Sequence, residues 1–351
     1  MGIAPSGSGP HGAVRLLERD SLREVASAHL HPKERPNCSA RIDDTPAGPL
    51  IVVGTGFIDP ERIETLAGRL LGFSADTLAP AFALDVPGNV YAVQHAAGHI
   101  AAAIDAQVHT YELSGSEPRL CDRWGCAFIA SSLVPGAPDE HGAQLVVGDA
   151  MRSLTVLRVD AGGQITELAR DSDPYWTTAA AAYGKAHTYI GADIAMNVFL
   201  SRRMRAKDGE PSHMMRRDAG FHYGDIINKF GGPPHALRFC TAGGALGVVH
   251  ELGADDSTAL ELVQSALVRE TTSAGVSWDE WRTLRTDHRV APAHGVIDGD
   301  FILRSFGNAS RAVQERVIAN AASIARRRDA SLRPPSVDGV LALLDRLVLM
   351  L

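Results

Sequence analysis

Cysteine is scarce in this 351-residue chain: Cys38, Cys121, Cys126 and Cys240 are scattered, and none forms a CxxC pair. That argues against a disulfide framework or a zinc module and fits reduced thiols in an intracellular compartment. Aromatic residues are few, at 6%, and positive charge is in deficit, with 34 Lys and Arg against 41 Asp and Glu for a net charge of −7. An acidic chain does not coat itself in nucleic acid, although a local basic patch is compatible with that total. Long apolar runs are missing too. The N-terminal MGIAPSGSGPHGA has no apolar core and so does not read as a signal peptide. The apolar tail from Gly339 to Leu351 is broken by Asp345 and Arg346 and is too short to span a bilayer. What the chain has is core material, 45% hydrophobic against 21% charged residues, as in a soluble globular protein of roughly two domains.

One pattern recurs: a short apolar run, a turn rich in Gly or Asp, and a second alternating apolar run. It appears as GPLIVVGTGFI around Gly54, HIAAAIDAQVHTYEL around Asp105, AQLVVGDAMRSLTVLRV around Asp149, HTYIGADIAMNVFL around Asp193 and ALRFCTAGGALGVVHEL near Gly243. The centres are 51, 44, 44 and 50 residues apart. Each copy reads as two antiparallel strands and a tight turn, with further strand-like segments between copies, such as Gly88 to Ala96 and Pro174 to Tyr183. Four strands in each period of about 45 residues predict β-propeller blades. A single small sheet cannot bury both faces, so neighbouring blades must cover it. The Ala-rich stretches Ala101–Ala103 and Ala179–Ala182 suit inner positions where sheets approach closely. Ala13 to Leu30 reads as another hairpin, turning at Arg19-Asp20-Ser21 and giving five blades and half of a sixth.

The pattern changes after residue 254. Leu260, Val263 and Leu267 form a helical stripe, and Ser277-Trp-Asp-Glu280 reads as a capping box opening a second helix. Asp298-Gly-Asp300 can cap the next segment, Ala312 to Arg327 reads as a longer amphipathic helix stopped by Pro334-Pro335, and Ser336 starts the last. The expected organisation is a leader over 1–12, a partial β-propeller over 13–254 and a helical C-terminal domain over 255–351. The fold class is mainly β.

Several motifs invite chemistry and are better explained by structure. Gly54-Thr-Gly56 lacks the third glycine and the following helix of a dinucleotide site, and reads as a tight blade turn. Gly184-Lys185 lacks the first glycine of a phosphate loop. His95 and His99 flank a hairpin turn at Ala96-Ala97-Gly98 without the HExxH pattern of a metal helix. Asp298-Gly-Asp300 lacks the later ligands of a calcium loop. No nucleophile, base and orienting group share a spacing, so neither catalysis nor a cofactor is expected. Ser201 to Arg217 holds Arg202, Arg203, Arg205, Lys207, Arg216 and Arg217 against Asp208 and Glu210. It is either a mobile, solvated loop between strands or a possible phosphate contact, without aromatics interleaved for base stacking.

Five ordered segments stand apart: Val147-Gly-Asp-Ala-Met-Arg-Ser153, Ala169-Arg-Asp-Ser-Asp-Pro-Tyr-Trp176, Gly191 to Phe199, Phe221 to Asn228 and Gly295 to Asp300. Together they resemble the C-terminal region of the DNA damage-binding protein large subunits. That family shares a superfamily with the large subunit of the cleavage and polyadenylation specificity factor and with a splicing-factor subunit. The resemblance runs from about Val14 to Leu349 and implies a seven-bladed C-terminal propeller, here incomplete, followed by a small α-helical domain. It also implies a nuclear, non-enzymatic adaptor of cullin–RING ubiquitin ligases in the DNA damage response. In such adaptors the first and third propellers clamp WD-repeat substrate receptors, and the middle one docks the cullin.

By this resemblance Ala150, Arg152, Trp176 and Asn228, with Met151 in the same turn, fall on a partner-facing surface of the third propeller. Arginine and tryptophan are enriched in interface hot spots. The alternative is that Trp176 packs between blades and Arg152 bridges a turn carboxylate. Ala150 stands where the family has a larger apolar residue, and the basic segment has no counterpart of that charge. The matched region leaves out the first two propellers, so contact with a cullin is expected only indirectly. A nucleic-acid-binding or RNA-processing subunit of the same superfamily is the second reading.

Overall fold

The computed structural model describes residues 11–46, 48–58, 67–115, 117–137, 139–205, 211–271, 294–329 and 331–348. A two-stranded hairpin comes first, β1 (His11–Leu17) and β2 (Glu24–Pro32). Its turn is closed by Glu18 N donating to Arg23 O at 2.9 Å, around the expected Arg19-Asp20-Ser21. Two antiparallel sheets of four strands follow. One holds β3 (Glu34–Ile42), β4 (Leu50–Phe57), β5 (Gly68–Ser74) and β6 (Pro80–Val86), and the other β7 (Val90–Ala96), β8 (His99–Ile104), β9 (Gln107–Glu112) and β10 (Arg119–Gly125).

The next two blades are β11 (Ala130–Pro135) to β14 (Ile165–Arg170), through β12 (Ala143–Asp149) and β13 (Ser153–Val159), and β15 (Thr177–Ala182) to β18 (Pro211–His222), through β16 (Thr188–Asp193) and β17 (Asn197–Arg205). The parallel pair Arg170 and Met214 joins them edge to edge as one eight-stranded sheet. A three-stranded sheet closes the series, β19 (Ile227–Gly231), β20 (Ala236–Thr241) and β21 (Leu246–His250). The fold is an incomplete β-propeller followed by a small helical region.

Alternation of side chains along single strands explains why the blades stack. On β4, Ile51 and Val53 pack with Val14, Leu16 and Leu30 of the hairpin. Leu50 and Val52 of the same strand face the next sheet, meeting Val90, Ile100, Ala102 and Ile104. On β8 the intervening Ala101 and Ala103 turn the other way, to Leu133, Leu145, Val147 and Leu157. These two sheets are therefore apolar on both faces, and a fully buried Val, Leu or Ile contributes about 1.5–3 kcal/mol. Small residues set the spacing. Ala101–Ala103 lie on a second strand, completely buried, whereas Ala179 and Ala180 lie on a first strand.

The repeat centres at Asp105, Asp149, Asp193 and Gly243 fall at turns between second and third strands of their sheets. The one at Gly54 does not. β4 runs unbroken through Gly54-Thr55-Gly56, so the predicted tight turn is corrected to strand interior. The glycines answer to crowding: a Cβ on Gly54 would stand 2.4 Å from Val90 Cγ1 and 2.6 Å from Cys38 Sγ. The hairpin at Ala97-Gly98 is as expected, both residues having positive φ, 49° and 82°.

Residues Met1–Ile194 with Leu200–Arg217 make one compact unit, and Ala195–Phe199 with Asp218–Leu351 a second. In the second, helices begin four residues after β21: α1 (Ala254–Thr271), the short α2 (Gly299–Ile302) running into a π-helical turn over Leu303–Gly307, α3 (Arg311–Arg328) and α4 (Val337–Val348). Asp298 caps α2, accepting from Phe301 N at 3.0 Å, and Ser336 Oγ accepts from Gly339 N at 3.1 Å at the start of α4. α3 ends at Arg328, ahead of the two prolines expected to stop it. Leu260, Val263 and Leu267 are buried with Phe301, Phe306, Val317 and Val340. The capping box at Ser277–Glu280 lies outside the described residues. No described helix is long and apolar enough to cross a membrane.

Candidate interaction face

Antiparallel strands return alternate connections to one end of a blade. In the first unit, the segments after β10, β12, β14 and β16 therefore share an end. They are knitted by main-chain bonds: Ala150 N to Ile129 O at 2.9 Å, Ser153 N to Tyr175 O at 2.7 Å and Ile194 N to Trp176 O at 2.9 Å. The chain so brings Ala150, Met151, Arg152 and Trp176 together as the sequence implied. Trp176 is 38% exposed and Met151 40%. Arg152 is exposed, with no salt bridge to a carboxylate among the described residues. Trp176 is thus partly covered and partly open to solvent, and Arg152 makes no ion pair with a turn carboxylate among the described residues. Asn228 is exposed in β19 and belongs to the second unit.

Two residues of this end escaped the sequence reading. Phe128 (49% exposed) precedes β11, and Ile194 (47%) follows β16, each in the connection bonded to Ala150 or Trp176's neighbours. The signal for both was a large apolar residue placed in a connection rather than a strand. Phe128, Met151, Trp176 and Ile194 thus line successive connections of two blades. Exposed apolar area gathered in one place marks binding surfaces more than scattered residues do. Beside it lies a cavity of about 360 Å³ bordered by Arg152, Arg170, Asp171, Ser172, Asp173 and Pro174.

The platform under these side chains is polar and closed. Asp149 Oδ2 accepts from Ala127 N at 2.7 Å and Phe128 N at 3.2 Å, while Oδ1 accepts from Met151 N at 2.8 Å. One carboxylate therefore fixes both the loop that carries Phe128 and the turn that carries Met151. Asp105 makes the equivalent link in the preceding blade, accepting from Asn89 N at 3.1 Å. Asp171, buried, accepts from Ser153 Oγ at 2.8 Å and Ser201 Oγ at 3.2 Å. Burial and the nearby Asp149 carboxylate push the Cys126 thiol up to about 11, so it stays protonated near neutral pH.

The described basic side chains differ in their surroundings. Ser201 to Arg217 is not a mobile loop for most of its length: it is the end of β17 and the start of β18, an extended pair in which strand pairing orders the backbone. Arg205 ends β17, and Lys207 lies outside the described residues. Arg202 and Arg203, neighbours on a strand, project to opposite faces. Arg203 donates to Leu168 O at 3.4 Å, and burial lowers its guanidinium pKa. Arg217 stacks on the Tyr175 ring at 3.8 Å and reaches Asp173 at 3.3 Å, while Arg216 is exposed. At least Arg203 and Arg217, among the proposed phosphate contacts, are thus engaged with this chain's own groups.

At the opposite end of the blades Arg158 donates to Asp139 Oδ2 at 2.5 Å, and Gln144 Nε2 donates to the same oxygen at 2.9 Å. Burial alone would raise the Asp139 carboxyl, but these donors bring it down to about 2. None of the four cysteines is in a disulfide. Among the described residues, no group of three or more His, Cys, Asp and Glu side chains is arranged to hold a metal ion.

The family model of the CPSF A subunit region matches residues 11–307. The chain is 26% identical over 328 residues to DNA damage-binding protein 1b of Arabidopsis thaliana, covering 87% of this chain and 30% of that protein. It is 27% identical over 326 residues to DNA damage-binding protein 1 of Oryza sativa subsp. japonica, covering 87% and 29%. With DNA damage-binding protein 1 of Drosophila melanogaster it shares 28% over 292 residues, covering 78% and 25%. The chain therefore spans less than a third of the length of these relatives.

Proposed function

Because the chain belongs to the CPSF A subunit region family, we propose that it is a non-enzymatic protein-interaction scaffold, with a propeller over 13–254 and a helical domain over 255–351. It binds a WD-repeat-type substrate receptor of a ubiquitin ligase acting in the nuclear response to DNA damage. The observation that carries this reading is the row of exposed Phe128, Met151, Trp176 and Ile194 beside Arg152 on connections held rigidly from below. A large aromatic and an arginine on a pre-ordered backbone suit hot-spot chemistry, since little conformational entropy is lost on docking. Ala150 and Met151 complete this contact, and Asn228 is assigned to the same partner. A cullin is reached only through other parts of the assembly, and no cofactor is required.

The second reading, a nucleic-acid or RNA-processing subunit, rests on Arg202, Arg203, Arg205, Lys207, Arg216 and Arg217. The engagement of Arg203 and Arg217 within the chain, and the net charge of −7, favour it less.

Capture of a purified WD-repeat receptor by the immobilised chain tests the proposal. Trp176→Ala and Arg152→Glu are each expected to weaken capture at least tenfold while leaving the melting temperature in place. Unchanged capture by both variants overturns the assignment. Salt separates the two readings, because phosphate contacts weaken steeply as ionic strength rises and an apolar interface does not.

A further inference from the structure

The connector between α3 and α4 carries chemistry that the interaction face does not use. Ser331 lies there, exposed and outside regular helix. Its Oγ and its main-chain N each donate to Asp329 Oδ1 at 2.8 Å. Just before it, α3 closes on Arg326, Arg327 and Arg328, all exposed. Counting back from Ser331, Arg328 is the third residue and Arg326 the fifth. Both lie in the last turn of α3; in an extended chain residues two apart project to one side, so drawing that turn out pairs the two arginines as a cationic grip upstream of an accessible hydroxyl. Drawing out the last turn of α3 costs little, because helix ends fray. The turn is secured by Arg328 on Glu261 Oε1 at 2.7 Å and Arg327 on Ser323 O at 3.2 Å. Both are exposed contacts, a class worth little.

We propose that Ser331 is a phosphoacceptor for an arginine-directed serine kinase, whose acidic groove holds Arg326 and Arg328 through bidentate bonds. Ser331 Oγ attacks the γ-phosphorus of ATP. The Oγ–P bond forms, the bond from that phosphorus to the β-phosphate oxygen breaks, ADP leaves, and the hydroxyl proton passes to a carboxylate of the kinase. Neighbouring serines lack one or another requirement. Ser323 sits inside α3, and Ser310 has no arginine among the five residues before it. Ser336 has Arg333 three residues before it, but two prolines intervene and its Oγ is occupied at the start of α4. A phosphate on Ser331 removes the donor to Asp329, adds a charge of about −2 near that carboxylate, and competes with Glu261 for Arg328. The modification would therefore regulate how α3 is tied to α1.

The test uses the full chain with Mg·ATP and a purified kinase that selects arginine three and five residues before serine. Mass spectrometry is expected to place one phosphate on Ser331. Ser331→Ala removes at least nine-tenths of the incorporation. Arg326→Gln, a change at an exposed residue, slows it at least fivefold, and adding Arg328→Gln slows it at least tenfold with the melting temperature kept. A wild-type chain that takes up no phosphate, an S331A chain labelled as before, or a double glutamine variant labelled at the parental rate each overturns the proposal.

Discussion

The two ends of the same blades differ in chemistry. At one, Arg158 and Gln144 both donate to the Asp139 carboxylate, while Gln144 Oε1 is buried without a hydrogen-bond partner. At the other, the carboxylates of Asp149 and Asp171 turn inward to hold the backbone, and Phe128, Met151, Trp176 and Ile194 are left facing solvent. Strands of one sheet run between the two ends, so the contrast arises in the connections and not in the blade pattern. Where a connection spends its polar side chains on the scaffold beneath, its apolar side chains are left for something outside. That separation of duties is why the end carrying Met151 and Trp176 reads as a binding surface.

The largest expected effect breaks the exposed end. Phe128→Asp combined with Ile194→Asp places charge in the apolar row and is expected to weaken receptor binding by a hundredfold or more, above about 3 kcal/mol. The melting temperature should stay put, and calorimetric titration beside a thermal scan reads both. Next comes the middle of a blade. His109 is buried between Tyr111 Oη and Gln107 Oε1, and burial followed by the charge of Arg123 lowers its pKa to about 4. The folded state favours the neutral ring, so its stabilising contribution is complete above the unfolded value of about 6.5 and is lost as pH falls towards 4. The loss approaches about 3 kcal/mol. Urea titrations at pH 7.5 and pH 4.5 measure it, and His109→Gln should flatten the difference.

Gly54→Ala drives a methyl group into Val90 and Cys38, with an expected cost of about 2 kcal/mol by denaturant unfolding and no change in receptor binding. The smallest effect is at the Asp139 end. Asp139→Asn removes a charge from a pair about a quarter exposed, which should cost about 1 kcal/mol and leave binding unaltered. A variant there that abolished receptor capture while folded would reverse the assignment of the two ends.

The blade repeat was legible because period-two alternation and turn chemistry are local properties, so Asp105 and Asp149 marked their hairpins correctly. Gly54 misled for a related reason: in sequence, a glycine that turns a chain and one that lets two sheets approach look alike. The basic segment misled because charge was read as exposure, whereas Arg217 is laid across Tyr175, 42 residues earlier. Trp176 and Arg152 were singled out through the family resemblance alone. Phe128 and Ile194 were not found, since an apolar residue in a connection takes its meaning from what the fold places beside it.

The link from Asp105 to Asn89, and that from Asp149 to Ala127, ties a hairpin turn to the connection that leads into the same blade. The three-stranded sheet repeats the device in mirror order, with Asp225 before its first strand accepting from Gly243 N at 3.1 Å. Other bonds cross from blade to blade, Asp171 accepting from both Ser153 Oγ and Ser201 Oγ, so the loops are held within and between modules. Loop sequences can drift during evolution on a frame latched in this way without unravelling it.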